Sequence, residues 1–417
     1  MALLRAFKAL RPVPELASKV AALPYDVISS EEARRKVVKN PYSFLHVDKA
    51  EIDLPRDIDL YDEKVYIKAG ENLKNMINNG TLIKDEEANL YIYRQIMDSH
   101  IQTGLVGCVS IDDYIDGNIK KHEDTREDKE EDRINHVRYC NANTGPIFLV
   151  YKEKADISVI IEKWTMKHKP VYDFIASDGI KHTLWVIDDS ETIGLLTEHF
   201  KSIDSLYIAD GHHRTASAVE VGKMKRAENP DYSGDEEFNF FLGVVFPHSD
   251  LKIMDYNRVV KDLNNHTIED FLNKVGHSFD IEIYEESEGY KPIKKHDFGM
   301  FLGNKWYKLS LKEDFYDADS DNLVENLDVS ILQNKILSPI LGIKDPRNDS
   351  RIDFVGGIRG LVELEKKVKE GAAVAFSMYP TTIDDIMSIA DEDRTMPPKS
   401  TWFEPKLRSG LFIHELD

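Results

Sequence analysis

Cysteine is nearly missing: Cys108 and Cys140 are the only two in 417 residues. They form neither a C-x-x-C pair nor a disulfide framework, so they are expected to be packing residues in a reducing compartment. Basic charge is also short. Lys and Arg number 54 against 75 Asp and Glu, a net charge of −21, which argues against a general nucleic-acid binder because a phosphate backbone is held chiefly by cations. No run of about 18 apolar residues is present to span a bilayer, and the stretch from Met1 to Lys8 lacks the apolar core of a signal peptide. A cytoplasmic protein with no membrane and no nucleic-acid partner is therefore expected. The nucleotide cradles G-x-x-x-x-G-K-[ST] and G-x-G-x-x-G are absent, as are internal repeats and low-complexity tracts. The zinc-helix pattern H-E-x-x-H fails at His122-Glu123 because Arg126 stands where the second histidine belongs.

What is present alternates between helical and strand patterns along the whole chain, which predicts an α+β or mixed α/β fold. The length calls for two domains or three. A helix is expected to begin at Ser29 or Ser30 as N-cap and to end near Asn40-Pro41. A strand at 43–47 and an Asp- and Pro-rich connector at 48–60 follow, then a helix at 61–79. Strands at 90–95 and 103–111 are joined by a hairpin at Asp98-Ser99-His100, and buried strands are read at 147–151 and 238–246. An edge-like strand at 251–258 leads to a second unit from about 266, with a helix at 323–337 among its elements. Asp317, Asp319 and Asp321 resemble the opening of a calcium loop, but Asn322 stands in the glycine position and Asp328 in that of the bidentate Glu.

The densest chemistry lies at 206–218. The apolar run Tyr207-Ile208-Ala209 ends in Asp210-Gly211-His212-His213-Arg214, and a small-residue helix starts at Thr215-Ala216-Ser217. Gly211 permits a bend between strand and helix. A helix N-terminus beside a guanidinium suits a phosphate, while Asp210 suits a metal ion or a proton. Tyr25-Asp26 before the first helix is either a plain turn or part of a site. In the charged stretch 120–139, Glu127 to Asp132 reads as a solvated helix face. Glu123, Arg126, Arg133 and His136 there offer a carboxylate and cations to a polyanion. The tail is basic and hydroxyl-rich, with Lys399, Lys406 and Arg408 beside Ser400 and Thr401. It reads equally as a segment closing over a phosphate and as a packed terminal strand.

Asp210-Gly211-His212-His213-Arg214 resembles the phosphate-handling corner of the ParB/sulfiredoxin superfamily, and most of all its free-serine kinases. Leu23-Pro24-Tyr25-Asp26, Lys121-His122-Glu123, the runs 133–138 and 141–146, Asp255-Tyr256-Asn257-Arg258 and the run 396–403 resemble a bacterial family similar to diphosphate-dependent serine kinases. That resemblance implies a ParB/sulfiredoxin-like catalytic domain at 1–265 with an insertion around 50–200, and a C-terminal α+β domain at 266–417 contributing the basic tail. It implies transfer of a phosphoryl group from diphosphate to free L-serine with Mg²⁺. Gly211, His212, His213, Arg214 and Thr215 would then hold donor phosphates, helped by Arg126, Arg133 and Lys399. Asp210 would place the metal, His213 would join the catalytic groups, and Glu123 or Asp26 would be the base. ADP or ATP as donor is the nearest alternative. A ParB-like nucleotide-binding regulator and a metal-dependent hydrolase on His122, Asp210, His212 and His213 represent other classes, and a homo-oligomer is left open.

Overall fold

Two strands buried at every position, Ile147–Tyr151 and Phe240–Pro247, lie side by side in parallel at the centre of the first sheet. Burial on both faces is why they read as unbroken apolar runs. The computed structural model describes residues 3–316 and 322–417; the calcium-loop candidates Asp317, Asp319 and Asp321 lie outside the described residues. The fold is mixed α/β. Its nine-stranded sheet runs Ile119–Lys120, Leu206–Asp210, Ile147–Tyr151, Phe240–Pro247, His100–Ser110, Leu90–Met97, Lys181–Ile187, Tyr172–Ile175, with Leu4–Arg5 added to His100–Ser110. Asp98, with φ of 55°, turns the expected hairpin.

The chain divides into two compact units. The first holds Met1–Lys121, Thr125–Leu251 and Pro405–Asp417; the second holds His122–Asp124 and Lys252–Glu404. In the first, the helix Ser30–Val37 begins as the sequence predicts, with Ser29 and Glu32 closing a capping box. Both cysteines pack as expected, Cys108 within the sheet and Cys140 against the apolar clusters around the helix Glu63–Asn78.

Two expectations in this unit fail. Residues 43–47 are not a strand: Ser43 Oγ accepts from the amide of Leu45 at 3.3 Å and the helical turn Leu45–Asp48 follows. A short apolar run does not by itself distinguish a strand from one buried helical turn. Here the turn buries Phe44, Leu45 and Val47 together and carries Asp48 inside with them. Nor is the charged run 127–132 wholly solvated. The helix Glu127–Cys140 buries Asp132, Arg133, His136 and Val137 on one face, and since three of the four are polar, hydropathy alone marks no buried side.

The second unit is built on an antiparallel six-stranded sheet ordered Phe279–Tyr284, Lys305–Leu311, Asp297–Leu302, Val374–Ser377, Tyr256–Val260, Ile352–Gly356. Of the edge-like strand expected at 251–258, Lys252–Met254 pairs with Trp402–Glu404 in a two-stranded sheet, whereas Tyr256–Val260 is interior to the six-stranded one. Its polar side chains misled because they are satisfied internally: Asn257 donates to Asp255 at 2.6 Å and accepts from the Met378 amide at 2.9 Å, and Arg258 donates to the Lys399 carbonyl at 3.0 Å. The helix expected at 323–337 is shorter, Asp328–Leu332. It widens into a π-helical turn, Gln333–Leu337, where the Ser338 amide reaches back five residues to Gln333.

Candidate functional site: a strand–helix corner and the cavity beside it

The corner lies wholly in the first unit. Leu206–Asp210 pairs with Ile147–Tyr151, and the register shifts between Ile208 and Asp210. Such a bulge re-aims the side chain that follows it. Gly211 then takes φ 98° and ψ 30° as N-cap of the helix His212–Glu228, a conformation a Cβ would strain. The glycine supplies no side-chain cap and the first turn holds no acidic residue, so no carboxylate of its own offsets the positive end of this helix. The helix Ser30–Val37, by contrast, carries Glu31 and Glu32 in its first turn.

Arg214 folds back over that turn. A Cβ on Gly211 would stand 3.3 Å from its Nε, and its Nη1 donates to the carbonyl of Pro146 at 2.6 Å. Burial pulls its pKa down, but Asp26, Asp210, Tyr25 and Asp48 outweigh this and hold it above the ordinary value. Asp210 meets the Nζ of Lys406 at 3.1 Å. Burial pushes its carboxyl up, yet Lys406 and Arg214 hold it well below the usual range, so it is ionised near neutrality. His212 is buried beside it. His213 Nε2 accepts from the amide of Arg126 at 3.1 Å, tying the corner to the start of the helix Glu127–Cys140. The Thr215 hydroxyl is turned into its own helix, donating to Gly211 at 3.1 Å.

Beside the corner a partly open pocket lies among Tyr25, Asp48, Arg133, Thr144, Arg214 and Ser409, with His136 and Ser217 also in its wall. Arg133 is buried against Asp132 at 2.8 Å, and its guanidinium lies 4.0 Å from the centre of the Tyr25 ring. Thr144 donates to Asp48 at 2.9 Å. His136, offered by its sequence position as a cation, is not one: burial and Arg133 hold its pKa well below the ordinary value, and it bonds Thr144 at 3.1 Å as a neutral ring.

The family described as a protein of unknown function, DUF1015, matches residues 4–330. The chain belongs to that family. Curated proteins yield no match. Among solved structures it is similar to a free serine kinase in complex with AMP, at 14% identity and a TM-score of 0.37, covering 74% of this chain and 91% of that one. It is also similar to a conserved hypothetical protein from Pyrococcus furiosus, at 15% identity and a TM-score of 0.35, covering 74% and 94%. A third is SbnI with a C-terminal truncation from Staphylococcus aureus, at 12% identity and a TM-score of 0.36, covering 72% and 82%.

In this DUF1015 protein the sequence candidates are assigned to both units. Asp26, Arg126, Arg133, Asp210, Gly211, His212, His213, Arg214 and Thr215 fall in the first unit; Glu123 and Lys399 fall in the second. Asp26 is exposed yet electrostatically coupled to Arg214. Arg126 is exposed and paired with Asp128 at 3.0 Å. Lys399 takes φ 60°, its ammonium 5.8 Å from the Tyr256 ring. It is Lys406, seven residues further on, that meets Asp210. Asp48, Thr144, Ser217 and Ser409 were not among the sequence candidates for the site, and Lys406 entered only as part of the basic tail. The basic tail was the one signal pointing to Lys406; Asp48 was hidden in a stretch read as connector.

The tail from 405 to 417 is threaded through the first unit: Gln95 donates to the Lys406 carbonyl at 2.9 Å, and Leu411, Phe412 and Ile413 are buried. Arg408 pairs with Asp178 and donates from Nε to His182 Nε2 at 3.2 Å, while Tyr93 meets Nδ1 at 2.8 Å. A proton on Nε2 would face the Arg408 N–H. Burial and Arg408 accordingly push His182 down to about 3. The unfolded chain takes up this proton below its ordinary value of about 6.5 and the folded chain does not, so stability falls as pH drops from there towards 3. Between pH 6.5 and 5 this histidine should cost about 2 kcal/mol. His182→Gln should flatten the loss in a pH series of thermal melts, and an unchanged slope would disprove the assignment.

Proposed function

We propose that this protein is a Mg²⁺-dependent kinase that transfers a phosphoryl group from inorganic diphosphate to the hydroxyl of free L-serine. The observation that carries the reading is the corner itself: a glycine-capped helix N-terminus with no acid in its first turn, Arg214 folded over it, and ionised Asp210 alongside. Phosphoryl transfer needs cations around the transferring oxygens, a positioned acceptor and a base. Gly211 to Arg214 bind the donor. Mg²⁺ fits Asp210, because it takes one or two carboxylates and completes its shell with water and phosphate oxygens. Glu123 or Asp26 serves as base; Asp26 acts on Arg214 electrostatically. The serine oxygen attacks the terminal phosphorus, the bridging P–O bond breaks, phosphate leaves and the hydroxyl proton passes to the carboxylate.

Phosphorus NMR of the protein with Mg²⁺, L-serine and diphosphate, with ADP and ATP in parallel, tests this. A phosphoserine resonance with diphosphate alone is expected. Phosphoserine only from a nucleotide would overturn the donor, and none from any donor would overturn the kinase.

A further inference from the structure

The cavity beside the corner carries a pattern of charge that a phosphate does not explain. Arg133 and Arg214 contribute two guanidiniums to its wall and Asp48 one carboxylate. Asp48 is only 6% exposed. Burial holds its pKa above the ordinary value, and hydrogen bonds from Ser409 and Thr144 and the two arginines offset this only in part. A polyanion drawn to the arginines would meet this carboxylate at close range with little water between them, which is unfavourable in a low-dielectric cavity. A ligand carrying both signs meets no such penalty: its anion faces the guanidiniums and its cation faces Asp48. Arg214 Nε adds a buried donor with no hydrogen-bond partner among the described residues. The loop at 144–146 closes in tightly, for a Cβ on Gly145 would stand 3.0 Å from Ser409 Oγ and 3.5 Å from Arg214 Nη1. The wall is otherwise hydroxyl-rich, with Thr144, Ser217, Ser409 and Tyr25.

We infer that this cavity is the binding site for a small zwitterionic α-amino acid, with Arg133 and Arg214 facing its carboxylate and Asp48 its ammonium. The inference rests on the proposed function only for the identity of that amino acid as L-serine. Arg214, shared by the corner and the cavity, then sets donor and acceptor side by side, and Arg133 serves the acceptor in place of the phosphates. Asp48 confers the selectivity for an amine-bearing acceptor.

Isothermal titration of the full chain without metal tests this, with L-serine, 3-hydroxypropanoate, ethanolamine and diphosphate titrated singly and diphosphate also titrated into the L-serine complex. L-Serine should bind, and the analogues lacking the ammonium or the carboxylate should bind at least about tenfold more weakly, the scale of one lost charged contact. Asp48→Asn should weaken L-serine by a similar factor and leave diphosphate unchanged. If that variant does not fold, the analogue series on the native protein decides alone. Equal binding of 3-hydroxypropanoate, displacement of L-serine by diphosphate, or no L-serine binding would each overturn the site. The kinase reading fails separately: L-serine bound selectively but never phosphorylated would sink the kinase and keep the site, whereas phosphoserine formed with unaltered serine affinity in Asp48→Asn would do the reverse.

Discussion

Arg214→Lys should lower kcat/KM for phosphoserine formation by about a thousandfold or more while the protein stays folded. A lysine keeps the positive charge that Asp26, Asp210 and Asp48 require, so no carboxylate is left uncompensated. It cannot reproduce the planar fork that reaches the Pro146 carbonyl at 2.6 Å and lies over Gly211. Guanidiniums placed on transferring phosphoryl groups are worth about 10³- to 10⁵-fold. Steady-state kinetics alongside thermal melts check the split. Near-normal turnover in a folded Arg214→Lys protein would remove the corner from the chemistry. Arg214→Ala is the less informative change, because it also strips three nearby carboxylates of their cation.

Asp210 and Lys406 should prove interdependent. Their side chains are 24% and 10% exposed at a separation of 3.1 Å, so Asp210→Asn leaves a largely buried ammonium without its counter-charge and Lys406→Met leaves the carboxylate with Arg214 alone. Each single change is expected to cost about 3 kcal/mol, and the double change clearly less than their sum, since two uncharged groups no longer need one another. Asp210 is held below its ordinary value, so its contribution is full above about pH 4 and is lost as the pH falls through the folded-state value. Thermal melts of the four proteins at pH 7 measure the coupling. Strict additivity would show that the contact carries no energy. In the kinase assay Asp210→Asn should also raise the Mg²⁺ concentration needed for turnover, whereas a stability loss alone would not shift it.

The corner was legible because everything that makes it is local. Asp210 to Arg214 are contiguous, Gly211 marks the bend, and the change from an apolar run to a small-residue helix gives the strand and helix their order. Ser29 and Glu32 announced their helix for the same reason. The cavity beside the corner was not legible. Asp48, Arg133, Thr144, Arg214 and Ser409 come from five separate segments; Arg133 and Arg214 read as cations for a phosphate, while the other three misled or were mute. Asp48 closes a helical turn whose apolar residues read as a strand. Arg133 shares its face with Asp132 and His136, so hydropathy marks no buried side around it. Ser409 belongs to a tail equally readable as a lid or as a packed terminal segment. Tyr256–Val260 shows the same limit in the second unit, where Asn257 and Arg258 bond within the protein and the strand is interior.

By itself, then, the sequence determined the alternating α/β pattern, the cysteine packing and the glycine-capped strand–helix corner, because backbone conformation, capping and apolar periodicity are settled within a few neighbouring residues. Only the tertiary structure decided that Lys406 pairs with Asp210, that His136 and His182 are neutral and that a buried carboxylate faces two arginines. Those depend on burial and on charges brought together from across the chain, and no local pattern encodes either.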